Sequence, residues 1–241
     1  MTYSAYHEQI SDKVKVMLAI TKDFKKIIRY GPISDYDMRN VVIFPETDKK
    51  KNWIALMRPN DKNQEVSGSG HVGGSFGEIC TAFAPAPAGP WQIGEVIMRS
   101  GHGPSAFQAK IGPGIPPVKT QYGWLNIFHG VRSTMAGHPY SLAVAFHDLK
   151  DPTNPGKLRI SAKPLLMPAA QDSIVRGDDY VHVPNVVFSC GALLGKNDTV
   201  AIYYGGNDTV MNVGLTNIRI LNEMCDHFGI DPLTGRHLYS L

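Results

Sequence analysis

The sequence predicts an all-β fold that carries one short helix near its C-terminus. Short runs rich in β-branched and aromatic residues alternate with segments of glycine, proline, asparagine and aspartate, which is the pattern typical of strands and turns. Only the stretch from about Ile218 to His227 shows helical spacing. Its apolar residues Ile218, Leu221 and Cys225 fall on one side, and Gly229 follows as a stop signal.

The predicted strands account for most of the chain's apolar residues. In chain order they are Met1–Tyr6, Val14–Ile20, Asn40–Glu46, Trp53–Met57, Ile79–Ala84, Gln92–Met98, Trp124–Phe128, Tyr140–Phe146, Pro184–Cys190, Val200–Tyr204 and Thr209–Leu215. We expect a long polar, glycine-rich loop over residues 60–78 and a mixed, proline-rich region over residues 150–183.

A weak internal repeat organises these strands. The segment W-I-A-L-M-R-P, ending at Arg58-Pro59, aligns without a gap with W-L-N-I-F-H-G, ending at His129-Gly130, and with V-A-I-Y-Y-G-G at residues 200–206; residues 1–6 fit more loosely. Each copy precedes a second apolar strand. Four such units predict the blades of a β-propeller, in which Arg58 and His129 would face a shared funnel. A β-sandwich with similar hairpins is the alternative.

Composition and charge exclude several classes of protein. The chain has 241 residues, a formal net charge of +3 and scattered basic residues, so nucleic acid is not an expected partner. No run of about 18 apolar residues predicts a membrane span, and no signal-peptide pattern opens the sequence. The three cysteines lack metal-ligand spacing, which favours reduced thiols, a cytoplasmic protein and no metal.

The segment from Lys110 to Gly130 is the first candidate for a functional site. Glycines and prolines stiffen residues 112–117, a polar turn follows, and an apolar strand then ends at His129. A rigid loop beside a strand that ends in an imidazole can form one wall of a polar-ligand site. The same residues also fit a structural turn before a core strand, and both readings stay open on this segment alone.

Separate blocks along nearly the whole chain carry a resemblance to a known family. They are M-T-Y-S-A-Y at 1–6, R-N-V-V-I-F-P-E at 39–46, M-R-P at 57–59, K-I-G-P-G-I-P-P-V-K-T at 110–120, G-W-L-N-I-F-H-G at 123–130, H-D-L-K-D-P at 147–152, V-P-N-V-V-F-S-C-G-A at 183–192 and Y-Y-G-G-N-D-T at 203–209. Together they resemble glycoside hydrolase family 130, the β-mannoside phosphorylases and related mannosidases.

The resemblance implies both a fold and an activity. The fold is a five-bladed β-propeller, of which about four blades are present here, so residues 1–241 are expected to form a single incomplete catalytic domain that includes a helix at 216–228. The activity is transfer of a mannosyl unit to inorganic phosphate, or to water in some branches. It needs no metal or organic cofactor, and its partners are a β-mannoside and phosphate. The resemblance also implies that the chain can form a homo-oligomer.

The matching blocks carry the family's site residues to this chain. Arg39, Arg58, Lys110 and His129 resemble the phosphate-binding set, and Asn40, Asp208 and Tyr140 resemble contacts to the sugar. Phosphate is a dianion, and two guanidinium groups, a lysine and a histidine supply the charge and donors that it requires. A hydrolase would instead place a carboxylate base beside its water. The cationic set therefore favours phosphorolysis over hydrolysis.

The family's catalytic acid has no counterpart in these residues. That acid is the aspartate of a G-x-E-D-P-R block before the M-T-Y strand, and E-D-P-R occurs nowhere in this sequence. No catalytic residue is therefore assigned, and we expect mannoside phosphorolysis to be impaired by loss of general-acid catalysis. We expect either an N-terminally incomplete phosphorylase or, as the alternative, a naturally shortened relative that binds sugar or phosphate without turnover. A β-mannosidase is the other alternative.

Overall fold

The computed structural model describes residues 1–7, 11–34, 37–59, 77–101, 107–135, 137–169 and 183–238. Within these residues the chain forms antiparallel sheets and one α-helix, which confirms the predicted all-β class with a short C-terminal helix. The contacts divide the chain into two compact units, Met1–Met98 and Arg99–Leu241. Most of the predicted loop at 60–78, and residues 170–182 of the proline-rich region, lie outside the described residues.

The first unit contains two sheets. The strands β1 (Thr2–His7), β2 (Ser11–Thr21) and β3 (Ile27–Pro32) form a three-stranded sheet in that order. The strands β4 (Met38–Ile43), β5 (Trp53–Pro59), β6 (Ile79–Ala84) and β7 (Gln92–Met98) form a four-stranded meander. A core cluster joins the two sheets, because Val16 and Leu18 of β2 belong to the same buried group as Ala55 and Met57 of β5.

The second unit also contains two sheets. The larger has the order β16 (Gly229–Ile230), β12 (Arg159–Ser161), β11 (Tyr140–His147), β10 (Gly123–Val131) and β8 (Lys110–Pro113), and β9 (Val118–Thr120) also pairs with β10. The smaller consists of β13 (Val187–Leu194), β14 (Thr199–Gly206) and β15 (Val210–Asn217). The helix α1 (Ile218–His227) follows, as predicted.

The core of the second unit explains why β10 lacks a regular alternation of apolar and polar residues. Every residue of β10 is buried, since the strand has neighbours on both edges and side chains packed on both faces. Leu125 and Ile127 of β10 pack with Val200 and Ile202 of β14 and with Leu221 of α1. A strand in this position gains nothing from polar residues at alternate places, so the period of two disappears.

The structure contains strands that the sequence pattern did not predict. They are β3, β8, β9, β12 and β16. Residues 112 and 113, predicted as part of a stiff loop, belong instead to β8 and pair with Phe128 and His129. The strand β3 is mostly exposed and the others have four residues or fewer, so none of them buries enough apolar surface to leave a pattern.

The internal repeat is visible as a common register. In antiparallel pairs, Arg39 of β4 lies opposite Arg58, Gly112 of β8 opposite His129, and Phe188 of β13 opposite Gly205. Arg58, His129 and Gly205 are the residues that the sequence alignment had placed together. Three sheets therefore hold equivalent residues at the same position of a central strand.

Among the described residues, no helix is both long and apolar enough to cross a membrane. The prediction that residues 1–241 form one domain stays a prediction.

Candidate functional site

Two predicted phosphate ligands face each other in the first unit. Arg39 and Arg58 are direct cross-strand partners on β4 and β5, which places their side chains on the same face of the sheet. Arg39 is exposed, whereas Arg58 is only 5% exposed. Like charges directly opposite each other destabilise a sheet. A dianion bound to both arginines would replace this repulsion by attraction.

A β-bulge lies next to this arginine pair. The register passes from Arg39 opposite Arg58 to Val42 opposite Leu56, so two residues, Asn40 and Val41, oppose one on the partner strand. Asn40 has φ 54°, in the left-handed region that asparagine tolerates better than most residues. The bulge changes the direction of the chain at Asn40. This predicted sugar contact therefore lies beside Arg39 and Arg58, the predicted phosphate contacts.

Three further predicted residues come together in the second unit. Lys110 of β8, Val131 of β10 and Tyr140 of β11 form one row across the sheet, and His129 lies in the next row on the same face. The Nζ atom of Lys110 lies 5.3 Å from the centre of the Tyr140 ring, which is within cation–π range. The sheet therefore supplies a cation, a phenol and an imidazole at neighbouring positions.

His129 packs against two aromatic rings that also contact each other. Its imidazole centre lies 5.7 Å from that of Tyr140, at an interplanar angle of 26°, and 4.5 Å from that of Phe188, at 35°. The histidine is fully buried, so these rings restrict its orientation. The sequence did not single out Phe188, because a phenylalanine inside an apolar run looks like an ordinary core residue.

Asp208, the remaining predicted sugar contact, lies on the tight turn between β14 and β15. The amide of Thr209 donates to the carbonyl of Gly206 at 3.0 Å and closes the turn. Asn207 and Asp208, at its two central positions, have φ 51° and 49°, as hairpin turns of the I′ type require. Asp208 is exposed at the end of the hairpin, where it is available to a ligand.

A close approach of two chain segments supports the strand that carries His129. A Cβ atom on Gly114 would lie 2.0 Å from Oγ of the buried Ser189 and 2.7 Å from the carbonyl oxygen of Ile127. Only glycine fits at this position without displacement of a neighbour. Gly114 therefore allows the segment after β8 to lie directly against β10 and β13.

The opposite face of β10 contains a buried polar pair. The ring of His147 lies between the side-chain amide of Asn126, 3.1 Å from Nε2, and the carbonyl oxygen of Pro152, 2.8 Å from Nδ1. A carbonyl only accepts, so Nδ1 carries the proton and Nε2 accepts from Asn126 Nδ2. Burial lowers the pKa of His147 to about 4, although the hydrogen bond to Pro152 partly opposes the shift. His147 is a structural, neutral histidine.

One arginine fastens α1 to the larger sheet. The guanidinium group of Arg159 donates to Asn222 at 2.8 Å, to Asp226 at 2.6 Å and to the carbonyl of Tyr122 at 2.8 Å. On the buried face of the same helix, burial raises the pKa of the Cys225 thiol to about 12. Both residues stabilise the fold and lie outside the predicted site.

The structure thus places six of the seven predicted residues in two groups and leaves Asp208 apart from both. Arg39, Asn40 and Arg58 are neighbours in the first unit. Lys110, His129 and Tyr140 are neighbours in the second unit, where Asp208 lies on a separate hairpin. Among the residues that the structure describes, no group of three or more His, Cys, Asp or Glu side chains could hold a metal ion.

An all-β fold that gathers cationic and aromatic side chains at strand ends defines a class of protein suited to anionic and sugar ligands. The family model described as β-1,4-mannooligosaccharide phosphorylase matches residues 1–227. The chain belongs to this family, glycoside hydrolase family 130. Its fold is accordingly of the five-bladed β-propeller family, and the four sheets of the described residues agree with the prediction of about four blades.

Curated relatives and solved structures agree with this assignment. The chain is 32% identical over 215 residues to a 4-O-β-D-mannosyl-D-glucose phosphorylase of Bacteroides fragilis, covering 87% of this chain and 50% of the relative. It is 27% identical over 220 residues to a 1,2-β-oligomannan phosphorylase of a Thermoanaerobacter species, covering 91% and 64%. A β-1,2-mannobiose phosphorylase of Listeria innocua, solved with β-1,2-mannobiose, aligns with a TM-score of 0.71 and 28% identity, covering 94% and 56%.

The chain spans about half to two thirds of the length of these relatives.

Proposed function

We propose that this chain binds inorganic phosphate and a β-mannoside as an inverting mannoside phosphorylase does, and that its own turnover is impaired. The observation that carries the proposal is the grouping of cations at family positions: Arg39 opposite Arg58, and Lys110 beside Tyr140 and His129. All three relatives reported above are named as phosphorylases of mannosides, which supports this substrate class.

The proposed roles follow from the chemistry of each group. Arg39 and Arg58 can each donate two parallel hydrogen bonds to a phosphate, and the partial burial of the pair strengthens those bonds. Lys110 adds a point charge, and His129 adds a donor whose direction the neighbouring aromatic rings restrict. Asn40, Tyr140 and Asp208 offer an amide, a phenol and a carboxylate to the sugar hydroxyls.

The reaction requires a group that this sequence does not match. A phosphate oxygen bonds to the anomeric carbon as the glycosidic C–O bond breaks, and the leaving oxygen must gain a proton. The family's acid lies in an E-D-P-R block that does not occur among these 241 residues. Without a general acid, the rate is expected to fall by roughly 10²–10⁴-fold. A protein that binds sugar or phosphate without turnover is the second candidate function.

Product analysis tests the proposed reaction. The chain is incubated with β-1,2-mannobiose, β-1,4-mannobiose or 4-O-β-D-mannosyl-D-glucose, with and without phosphate. Slow, phosphate-dependent formation of mannose 1-phosphate is the expected result. Free mannose formed equally well without phosphate would instead identify a β-mannosidase. Binding of phosphate and sugar with no product at all would identify the binding protein.

Binding measurements test the cationic residues separately. Arg39 is exposed, so Arg39→Gln is expected to fold normally and to weaken phosphate binding by about tenfold, measured by calorimetry. Arg219→Gln is the matched control, since Arg219 is an exposed helix residue whose nearest charge is Glu223 at 3.7 Å. Equal phosphate affinity in both variants would contradict the role of Arg39. Lys110→Gln tests the second group in the same way.

A further inference from the structure

We propose that Asn207 is a positioning residue: its side chain fixes the turn that carries Asp208 to the chain segment that packs against Tyr140 and His129. The inference rests on the proposed function, in which Asp208 contacts the sugar and His129 the phosphate. It assigns a role to the block V-P-N-V-V-F-S-C-G-A at residues 183–192, whose other contribution to the site is the ring contact of Phe188 with His129.

Asn207 binds both polar groups of one residue on the neighbouring strand segment. Its side-chain Oδ1 accepts from the backbone amide of Val186 at 3.0 Å, and its backbone amide donates to the carbonyl of Val186 at 2.7 Å. Asn207 is only 7% exposed and Val186 only 4%, so these hydrogen bonds are shielded from water. A two-point attachment of this kind sets the position of the turn and not merely its proximity.

Val186 is in turn attached to the aromatic cluster. It forms a parallel bridge with Tyr140, and the amide of Tyr140 donates to the carbonyl of Asn185 at 3.0 Å. Two residues after Val186, the ring of Phe188 lies 4.5 Å from that of His129. Within the second unit, a short path of hydrogen bonds therefore connects the turn of Asp208 to Tyr140, and ring contacts extend it to His129.

The turn itself does not need the side chain of Asn207 for closure. Closure uses the backbone bond from Thr209 to Gly206, and the hydroxyl of Thr209 donates to the carbonyl of Asn207 at 2.7 Å. Asparagine is favoured here because φ is 51°, but glycine accepts that angle as well. Asn207→Gly therefore removes the side-chain hydrogen bond with the Val186 amide, and keeps both the backbone hydrogen bond to the Val186 carbonyl and the backbone of the turn. Asn207→Asp retains an acceptor and tolerates the same backbone angle.

A matched control lies at the other end of the same sheet. Asn197, at the turn between β13 and β14, also has a left-handed backbone, with φ 55°, but it is exposed. Its carbonyl accepts from the side chain of Asn217 at 3.1 Å, a bond that does not need the side chain of Asn197. Asn197→Gly thus makes the same chemical change far along the hairpin from Asp208.

The first experiment measures binding of β-1,4-mannobiose and of inorganic phosphate by calorimetry. We expect Asn207→Gly to weaken mannobiose binding by about tenfold, because a displaced Asp208 loses about one hydrogen bond to the sugar. Phosphate binding should change by less than about twofold. Asn207→Asp should restore most of the sugar affinity, and Asn197→Gly should leave both affinities unchanged. A uniform loss of both affinities in Asn207→Gly would show a merely structural role and would overturn the inference.

The second experiment does not depend on the ligand. Amide hydrogen exchange at Val186 is expected to be about tenfold faster in Asn207→Gly than in the wild type, slow in Asn207→Asp, and unaffected in Asn197→Gly. Unchanged exchange at Val186 in Asn207→Gly overturns the inference whatever the binding data show. If the wild type binds no mannoside, the proposed function fails, and the exchange rates alone then decide whether Asn207 fixes the turn.

Discussion

Replacement of His147 by glutamine is expected to remove a specific part of the pH dependence of stability. His147 is fully buried between Asn126 and the carbonyl of Pro152, and both hydrogen bonds use the neutral ring. Protonation would place a charge in the core and would turn the acceptor Nε2 into a donor facing the Asn126 amide. His147 is therefore protonated at a higher pH in the unfolded chain than in the folded state.

The magnitude follows from the shift in pKa. Burial lowers the pKa of His147 from 6.5 to about 4. Between these values the unfolded state binds the extra proton, so the free energy of unfolding is fully retained above pH 6.5 and falls as the pH decreases toward 4. A shift of about 2.5 pH units corresponds to a loss of about 3 kcal/mol over this range. Below about pH 4 both states are protonated and this contribution no longer changes.

Urea unfolding measured from pH 7.5 to pH 4 provides the assay. The difference in stability between the wild type and His147→Gln should decrease by about 3 kcal/mol across this range, because titration of all other groups cancels in the comparison. His138→Gln is the control, since His138 is exposed and its nearest polar partner is the hydroxyl of Ser133 at 3.3 Å. A wild-type minus His147→Gln difference that does not vary with pH would refute the reasoning.

Three further outcomes are expected from packing and burial. Gly114→Ala should lower the free energy of unfolding by about 1–3 kcal/mol in urea denaturation, because the new methyl group meets a serine hydroxyl and a carbonyl oxygen. Gly191→Ala is the control and should have little effect, because a Cβ there would meet nothing within 4 Å. Iodoacetamide at pH 8 should modify the exposed Cys190 and spare Cys225, whose pKa is about 12, as read by peptide mass spectrometry; labelling of Cys225 at the same rate would contradict its burial. Arg159→Gln should cost about 1–2 kcal/mol and speed amide exchange in α1, and unchanged exchange would show that the helix does not depend on this contact.

The sequence was sufficient to predict the central strands and the helix. Residues 53–57, 124–128 and 200–204 are apolar runs bounded by turn residues, and each lies inside a central strand of its sheet. The helix was predicted at about Ile218 to His227, within residues 216–228, and α1 lies there, because its apolar side and its stop signal are both local features. Features that bury surface on both sides of a segment leave a strong pattern.

Edge strands and contacts between residues far apart in the sequence were not predictable in this way. The strand β3 exposes most of its residues, so its sequence satisfies no burial constraint that could be recognised. The contact of Phe188 with His129 joins residues about 60 positions apart and depends on the packing of two sheets. The same holds for Asn207, which the sequence showed only as part of the block Y-Y-G-G-N-D-T, whereas the fold buries it against Val186.

The common register of the sheets has an evolutionary consequence. Arg58, His129 and Gly205 occupy one equivalent place in three sheets, each opposite a residue of an earlier strand. After duplication of a sheet, a single codon change at this place alters charge, aromaticity or bulk and leaves the hydrogen-bond ladder intact. New side-chain chemistry can therefore arise in one sheet at a time, while the strand pairing of the other sheets is preserved.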